Sequence, residues 1–152
     1  MDVMTPAQRL KAMRSNRGRT KPEIALARDL WRRGFRYYTA DGYKNRTGIR
    51  LVGNPDIVFP TKRILIFVDG CFWHGCQRCH NFARDCNLIW QKKIQKNLLR
   101  DRRVTRRLRT EGWTVIRIRE HELRPTSRFE AVATQLAERI RRASDSKAKR
   151  HS

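Results

Sequence analysis

Long apolar runs are missing from this sequence of 152 residues. No stretch approaches the roughly 20 apolar residues that a helix needs to cross a bilayer, which argues against a membrane-spanning protein. The first residues, Met1 to Pro6, also lack the apolar core of a secretory signal peptide. We therefore expect a cytosolic protein without a membrane partner.

Acidic side chains are scarce as well, with 14 Asp and Glu against 36 Lys and Arg and a formal net charge of +22. Such an excess of positive charge repels itself unless a polyanion neutralises it. Basic surfaces gain much of their affinity for nucleic acid from phosphate contacts and released counterions, so nucleic acid is the expected partner. Charge alone leaves open a ribosomal or non-specifically adhesive protein.

Cysteine is limited to four residues, three of which form a C-x4-C-x2-C cluster at Cys71, Cys76 and Cys79. In a reducing cytosol this spacing favours a metal site over disulfides. Structural zinc takes four protein ligands and leaves no open position for a substrate. The cluster therefore predicts a structural zinc site that needs one more ligand.

Three residues compete for the fourth zinc position: His80, Cys86 and His121. We favour His121, because it directly follows the last predicted strand, which should lie beside the strand that leads into the cysteine cluster. Cys86 is the second choice. The exchange of Cys79 for Cys86, or of His121 for His80, stays open at this point.

The apolar pattern predicts one α/β domain with a mixed sheet flanked by helices, which a chain of this length can bury. Strands are expected at 35–39, 57–59, 64–68 and 113–118. Capping boxes open helices at Thr5, Thr20 and Ser127, and a long basic helix is expected from roughly Leu88 to Glu111. The domain should span residues 1–142, and residues 143–152 should form a disordered basic tail.

Two aspartates flank the central pair of predicted strands. Asp56 directly precedes one strand and Asp69 directly follows the next. If the intervening turn centres on Lys62 and Arg63, antiparallel pairing places the two carboxylates opposite each other. Facing carboxylates repel unless a cation lies between them, and Mg²⁺ is the ordinary solution. The alternative is that each aspartate simply belongs to a turn.

The segment that follows Asp69 carries a histidine and adjacent aromatic residues. His74 is close enough to remove a proton from a metal-bound water as general base, or it is a zinc ligand or a loop histidine. Phe72 and Trp73, like Trp90, can stack on bases or wedge between them beside a cationic groove. The alternative is that they pack over the cysteine loop.

Several runs of the sequence resemble the Vsr family, the very-short-patch mismatch-repair endonucleases. The resemblance covers roughly Thr5 to Leu123, and its most specific block is Gly-Cys-Phe-Trp-His. The runs that carry it are 11–14, 21–24, 54–58, 67–74, 90–94, 97–103 and 111–115.

The resemblance implies a restriction-endonuclease-like fold with a zinc site, and Mg²⁺-dependent nicking of one strand 5′ to the thymine of a T:G mismatch. It further implies a bacterial protein that acts as a monomer on double-stranded DNA at the nucleoid, with mismatch-repair proteins as further partners. A Vsr-like restriction or defence nuclease that cuts unmismatched DNA is the first alternative. A silent zinc DNA-binding module is the second, although such a module has no use for the acidic residues and His74.

The resemblance also implies roles for individual residues. Asp56 would bind Mg²⁺ and His74 would act in proton transfer. Three further residues match active-site positions or lie near them: Glu23, Asp101 and Asn97. Four residues match side chains that enter the DNA beside the mismatch: Phe72, Trp73, Trp90 and Met13. The last of these belongs to an N-terminal arm, residues 1–19, that would reach the minor groove.

Overall fold

A three-stranded mixed sheet with helices on both faces forms the described part of the chain. The computed structural model describes residues 20–71, 76, 79, 88–124 and 126–148, with the backbone alone for 144–148. The elements in chain order are α1 (Lys21–Arg32), α2 (Ala40–Thr47), β1 (Ile57–Phe59), β2 (Ile64–Asp69), α3 (Leu88–Thr110), β3 (Thr114–Arg119), a 3₁₀ helix (Glu120–Leu123) and α4 (Thr126–Ala148). Several predictions fall outside these residues: the helix opened by Thr5, Met13, Phe72, Trp73, His74, His80 and Cys86.

The strand order is β1-β2-β3, with β1 antiparallel to β2 and β2 parallel to β3. The long helix α3 makes the connection between the two parallel strands, as parallel pairing requires. The strands predicted at 57–59, 64–68 and 113–118 are therefore confirmed. The strand predicted at 35–39 is wrong, because only Tyr38 pairs there, in an isolated bridge with Val58.

Each face of the sheet is buried under helices, so the central strands are apolar on both sides as the sequence predicts. Alternate residues divide between two clusters. One cluster packs against α1 and α4 and includes Ile57, Ile64, Ile66, Ile116, Leu26 and Ile140. The other packs against α2 and α3 and includes Val58, Leu65, Phe67, Val115, Tyr43 and Leu108.

Helix α1 begins after Thr20, as the predicted capping box requires, and ends before Gly34. Its last apolar residues differ in burial. Leu30 is fully buried, whereas the Trp31 side chain is 48% exposed. The guanidinium of Arg36 lies 3.9 Å from the centre of the Trp31 ring, a cation–π contact that needs no burial.

Helix α2 is not among the helices expected from the sequence. Thr39 caps this helix, since its hydroxyl accepts a hydrogen bond from the Gly42 amide at 3.0 Å. The last helix, α4, continues through Ala148, which is beyond residue 143, where the disordered tail was predicted to start. Within the described part of the chain, no helix is long and apolar enough to cross a membrane.

Candidate active site and metal centre

An open groove of about 960 Å³ lies between the start of β1, the end of β2, and α3. Four acidic side chains line it: Asp56, Asp69, Asp101 and the exposed Asp41 at its rim. Basic side chains surround them: Arg50, Arg100, Arg107 and Arg117. An acidic centre in a basic rim can hold a cation while the rim attracts a polyanion.

The turn before β1 fixes the position of Asp56. Gly53 and Asn54 both have left-handed backbone conformations, with φ of +78° and +56°. Glycine adopts this conformation freely and asparagine tolerates it, which explains both residue types at these positions. The Asp56 carboxylate then accepts a hydrogen bond of 2.6 Å from the backbone amide of Val68 on β2.

Glu23 approaches Asp56 from the first turn of α1. It is buried, and its carboxylate accepts a hydrogen bond of 3.3 Å from the Thr20 backbone amide. The carboxyl groups of Glu23 and Asp56 lie close enough to interact with each other. Burial, together with the charge of Glu23, raises the pKa of Asp56 to about 7, although the hydrogen bond from Val68 opposes the shift. Two carboxyl groups held this closely are suited to share a proton or a divalent cation.

The predicted alignment of Asp56 directly opposite Asp69 is wrong. The strands pair Ile57 with Ile66 and Phe59 with Ile64, so the register differs by two residues from the predicted one. The reason is the turn, which is centred one residue earlier and is closed by a hydrogen bond from the Arg63 amide to the Pro60 carbonyl. Arg63 adopts a left-handed conformation there, with φ of +57°.

Asp69 nevertheless belongs to the same groove, and its charge contributes to the raised pKa of Asp56. Its two carboxylate oxygens accept hydrogen bonds of 2.8 and 2.9 Å from Nη1 of Arg117 on β3. Nη2 of Arg117 lies 3.8 Å from the carboxylate of Asp101. The second predicted magnesium ligand, Asp69, therefore already has a cationic partner, and its role as a ligand stays a prediction.

Helix α3 supplies one face to this arrangement. Asn97, Asp101 and Thr105 follow one another at intervals of four residues, which places them on the same side of the helix. Thr105 Oγ1 accepts a hydrogen bond of 2.9 Å from Nε of Arg117. The structure thus brings Asp101 into the groove and places Asn97 one turn away from it.

A second depression of about 770 Å³ adjoins the groove between α3 and β3 and shares Asp69, Asp101 and Arg117 with it. Four further arginines line it: Arg102, Arg106, Arg109 and Arg119. The basic character that the composition predicts is therefore concentrated beside the acidic cluster. Such a surface suits a phosphate backbone.

The predicted zinc ligands Cys71, Cys76, Cys79 and His121 converge, with one ligand atom from each within 4.8 Å of the others. His121 Nδ1 lies 3.4 Å from the sulfur of Cys71 and 3.4 Å from that of Cys76. Tetrahedral zinc, with bonds of about 2.3 Å to sulfur and about 2.0 Å to nitrogen, places such ligands roughly 3.5 Å apart. The cluster therefore fits a metal ion of this kind.

The position of this cluster follows from the parallel pairing of β2 and β3. Asp69 is paired with Arg119, so the residues that follow the two strands, Cys71 and His121, meet at one edge of the sheet. Burial raises the pKa of the Cys71 thiol to about 12, and the neighbouring thiols of Cys79 and Cys76 add to the effect. A bound cation would offset this cost, because metal ligation deprotonates thiols.

The residues predicted to enter DNA differ in how far the structure describes them. Trp90 lies in the first turn of α3, is only 9% exposed, and has the Lys93 ammonium 4.9 Å from its ring centre. Intercalation by Trp90 would require this ring to move, and its role stays a prediction. The roles of Phe72, Trp73 and Met13 also stay predictions, because these residues lie outside the described part.

Sequence reasoning missed Arg117 as a member of the site. It occupies an interior position of β3, in the run Thr-Val-Ile-Arg-Ile-Arg, where its neighbours Ile116 and Ile118 are buried. A charged residue within an otherwise apolar strand is costly unless it is paired. This signal could have identified a buried partner for Arg117, although not which carboxylate it contacts.

Comparisons with known proteins agree with this geometry. A family model described as DNA mismatch endonuclease Vsr matches residues 1–81. The type II nicking enzyme V.NmeDIP of Neisseria meningitidis serogroup C is 38% identical over 146 residues, which are 94% of this chain and 90% of that enzyme. The type II nicking enzyme V.NaeI of Lentzea aerocolonigenes is 38% identical over 117 residues, 76% of this chain and 69% of its own. The DNA mismatch endonuclease Vsr of Escherichia coli K12 is 36% identical over 144 residues, 91% of this chain and 87% of its own.

Proposed function

The chain belongs to the Vsr family of DNA endonucleases, and we propose that it nicks one strand of duplex DNA 5′ to the thymine of a T:G mismatch. The observation that carries the proposal is the pair of interacting carboxyl groups, Glu23 and Asp56, beside a groove with a basic rim. A silent DNA-binding module, one of the alternatives from the sequence, does not agree with membership of an endonuclease family.

We assign the catalytic cation, Mg²⁺, to the carboxylates of Asp56 and Glu23. Oxygen ligands of this type suit Mg²⁺, and bringing two carboxyl groups together in a partly buried site is favourable when a cation neutralises them. When bound, the ion supplies Lewis acidity towards the cleaved phosphate. Asp69 stays a candidate ligand that could contribute only if Arg117 released one of its oxygens.

The protein residues then have distinct tasks. Asp56 and Glu23 would hold the cation beside the reacting phosphate, and His74 takes the proton of the attacking water. Asp101 borders the same groove from α3, Asn97 lies one helical turn away from it, and both orient the groups around the reacting phosphate. Phe72, Trp73, Trp90 and Met13 enter the DNA beside the mismatch, where a weakened stack lowers the cost of insertion. The arm that carries Met13 comprises residues 1–19.

We assign zinc to the cluster of three cysteines and His121, in a structural role. The sulfur–nitrogen spacing of 3.4 Å and the four protein ligands support this identity over a catalytic metal. The ligands Cys71 and Cys76 bracket the segment that contains His74 in the sequence. Zinc would therefore anchor both ends of the segment that carries the proposed general base.

We further propose that the sheet is the central part of a restriction-endonuclease-like fold in a single domain from residue 1 to about 142. The antiparallel β1–β2 pair with acidic residues near its open end supports this assignment, as does the parallel third strand. The relatives are bacterial DNA endonucleases, which supports action in the bacterial cytoplasm, as a monomer on double-stranded DNA and in contact with mismatch-repair proteins.

The test is cleavage of end-labelled duplexes with Mg²⁺, comparing T:G-mismatched with fully matched DNA of the same sequence in several contexts. A nick confined to the thymine strand is expected, and it should disappear without a divalent cation. Asp56→Ala should abolish nicking while leaving DNA binding intact. Equal cutting of the matched duplex would overturn the mismatch assignment and favour a Vsr-like restriction or defence nuclease instead. Several relatives are named type II nicking enzymes, which keeps this second function under test.

A further inference from the structure

Arg117 lies at the junction of the acidic groove and the arginine-lined depression, and its side chain lines both. Parallel pairing sets it beside Phe67 on β2, and the two-residue period of a strand puts Asp69 on the same face as Phe67. The guanidinium therefore projects towards α3, over the surface on which the proposed reaction takes place.

Four contacts fix the orientation of this guanidinium. Its central carbon lies 4.4 Å from the centre of the Phe67 ring. Nη1 donates to both oxygens of Asp69, Nε donates to Thr105 Oγ1, and Nη2 lies 3.8 Å from Asp101. A cation held from several sides is preorganised, so it needs no rearrangement when a negative charge arrives.

Nη2 is the nitrogen of the Arg117 guanidinium that can still donate hydrogen bonds to a ligand. A separation of 3.8 Å from Asp101 exceeds hydrogen-bond distance, and Nη2 has no hydrogen-bond partner among the residues that the structure describes. Arg117 is nevertheless only partly buried, with 22% of its side chain exposed. An amino group with two N–H donors thus faces the groove without satisfying them within the described protein.

We propose that Nη2 of Arg117 donates a hydrogen bond to a nonbridging oxygen of the phosphate that is cleaved, and so stabilises the charge that grows there during the reaction. This assignment rests on the proposed nuclease function. Guanidinium and phosphate are geometrically matched, and donors aimed at a developing charge contribute more to the transition state than to the ground state. Asp69 is then a positioning residue that holds Arg117 through its other amino group.

A purely structural role for Arg117 makes a different prediction. If Arg117 only neutralises Asp69, Arg117→Lys keeps the positive charge and should nick close to the wild-type rate. If Arg117 contacts the phosphate, Arg117→Gln stays about 100-fold or more below wild type in kcat, while its zinc content and circular dichroism are normal. Arg117→Lys should also lower kcat at least tenfold with little change in KM, because an ammonium cannot keep the same geometry.

A second measurement locates the contact without requiring turnover. DNA affinity is measured in the absence of divalent cations, with either an ordinary phosphodiester or an uncharged methylphosphonate at the phosphate that the wild-type protein cleaves. We expect methylphosphonate to weaken binding of the wild-type protein about tenfold and binding of Arg117→Gln and Arg117→Lys less than threefold. Arg119→Gln, on the same face of β3, should weaken binding to both duplexes and keep the tenfold difference between them.

An undiminished methylphosphonate effect in both Arg117 variants would overturn the proposal, as would nicking by Arg117→Lys close to the wild-type rate. A different result would contradict the proposed function, namely the absence of mismatch-dependent nicking by the wild-type protein. If the wild-type protein cuts matched DNA, the methylphosphonate is placed at that cleavage position and the same comparison decides on Arg117. A wild-type protein that cuts neither duplex would overturn both assignments.

Discussion

The carboxyl groups of Glu23 and Asp56 interact with each other, although Glu23 belongs to the first turn of α1 and Asp56 precedes β1. Each has a second, backbone partner that fixes its position, the amide of Thr20 for Glu23 and the amide of Val68 for Asp56. The pair therefore ties the helix to the hairpin at a point where two negative charges meet. Its protonation should influence both stability and metal binding.

The raised pKa of Asp56 predicts that the metal-free protein becomes less stable as pH rises from about 4 to 7. Its pKa is 3.8 ordinarily and about 7 here, so the folded state binds more protons than the unfolded state in this window. The free energy of unfolding then falls by at most about 1.4 kcal/mol per pH unit, and by less because the groove is open to solvent. Urea unfolding in a chelator across this range measures the slope.

Asp56→Asn should flatten this slope and stabilise the protein near pH 8, because the native Asp56 carboxylate is charged there and its burial lowers the free energy of unfolding. Asp41→Asn is the matched control, since Asp41 is an exposed aspartate at the rim of the same groove. It should leave the slope unchanged. A slope that persists in Asp56→Asn would show that other groups cause it.

Glu23→Gln should weaken Mg²⁺ binding about tenfold or more and move the acidic limb of the nicking pH profile to lower pH. The substitution removes one negative charge from the cation site and the repulsion that helps to raise the pKa of Asp56. Calorimetric titration with Mg²⁺ and initial rates from pH 5 to 9 measure the two effects.

The amide of Gln keeps an oxygen that can accept from the Thr20 backbone, so the cap of α1 should survive in this variant. Thermal unfolding is therefore expected to change little, which separates a loss of metal binding from a loss of structure. Unchanged Mg²⁺ affinity together with an unchanged pH profile would remove Glu23 from the site.

How much of the site could be predicted depended on how local each signal was. The zinc ligands Cys71, Cys76 and Cys79 could be predicted because they lie close together in the sequence. His121 could be predicted because parallel strands end at one edge of the sheet. The hairpin register could not be predicted. It depends on where a four-residue turn closes, and a shift of one residue at the turn centre moved the predicted partner of Asp56 by two.

Contacts between elements that are distant in the sequence were harder still to predict. Only the family resemblance pointed to a functional role for Glu23, since nothing local to α1 indicates that it meets Asp56. Arg117 was missed, because strand composition shows that a charge is present in β3 but not that Asp69 will pair with it. Helix α2 was missed because it is short and mostly polar, and only the Thr39 cap marks its start.

Cys71→Ser should lower zinc content and thermal stability together, because metal binding and folding are coupled when the ligands come from separate elements. Cys71 follows β2, and its partner His121 follows β3, so losing the site releases both strand ends. Metal analysis by mass spectrometry and thermal unfolding with and without a chelator measure the two quantities.

Cys86→Ser is the control that decides between the two ligand sets considered from the sequence. Full zinc content and normal stability are expected for this variant, since the converging set contains Cys79 and His121. Loss of zinc from Cys86→Ser but not from Cys79→Ser would exchange the two cysteines in the site.

Gly53→Ala should destabilise the protein and slow nicking, whereas Gly48→Ala should cost stability alone. Both glycines have left-handed φ, +78° and +76°, so a Cβ strains the backbone by about 1 kcal/mol at either position. At Gly53 the new Cβ would also overlap Cγ1 of Val104 on α3, while at Gly48 it would meet nothing within 4 Å. Overlap with a buried side chain adds about 1–3 kcal/mol.

The turn at Gly53 leads directly to Asp56, so a shift that relieves this overlap should displace the carboxylate from Glu23 and lower kcat about tenfold or more. Urea unfolding and nicking rates of the two variants, measured at the same fraction of folded protein, separate the effects. Equal losses of stability in both variants would mean that α3 moves away without cost. Nicking would then be expected to stay at the wild-type rate in Gly53→Ala, and the rigid turn would not be what positions Asp56.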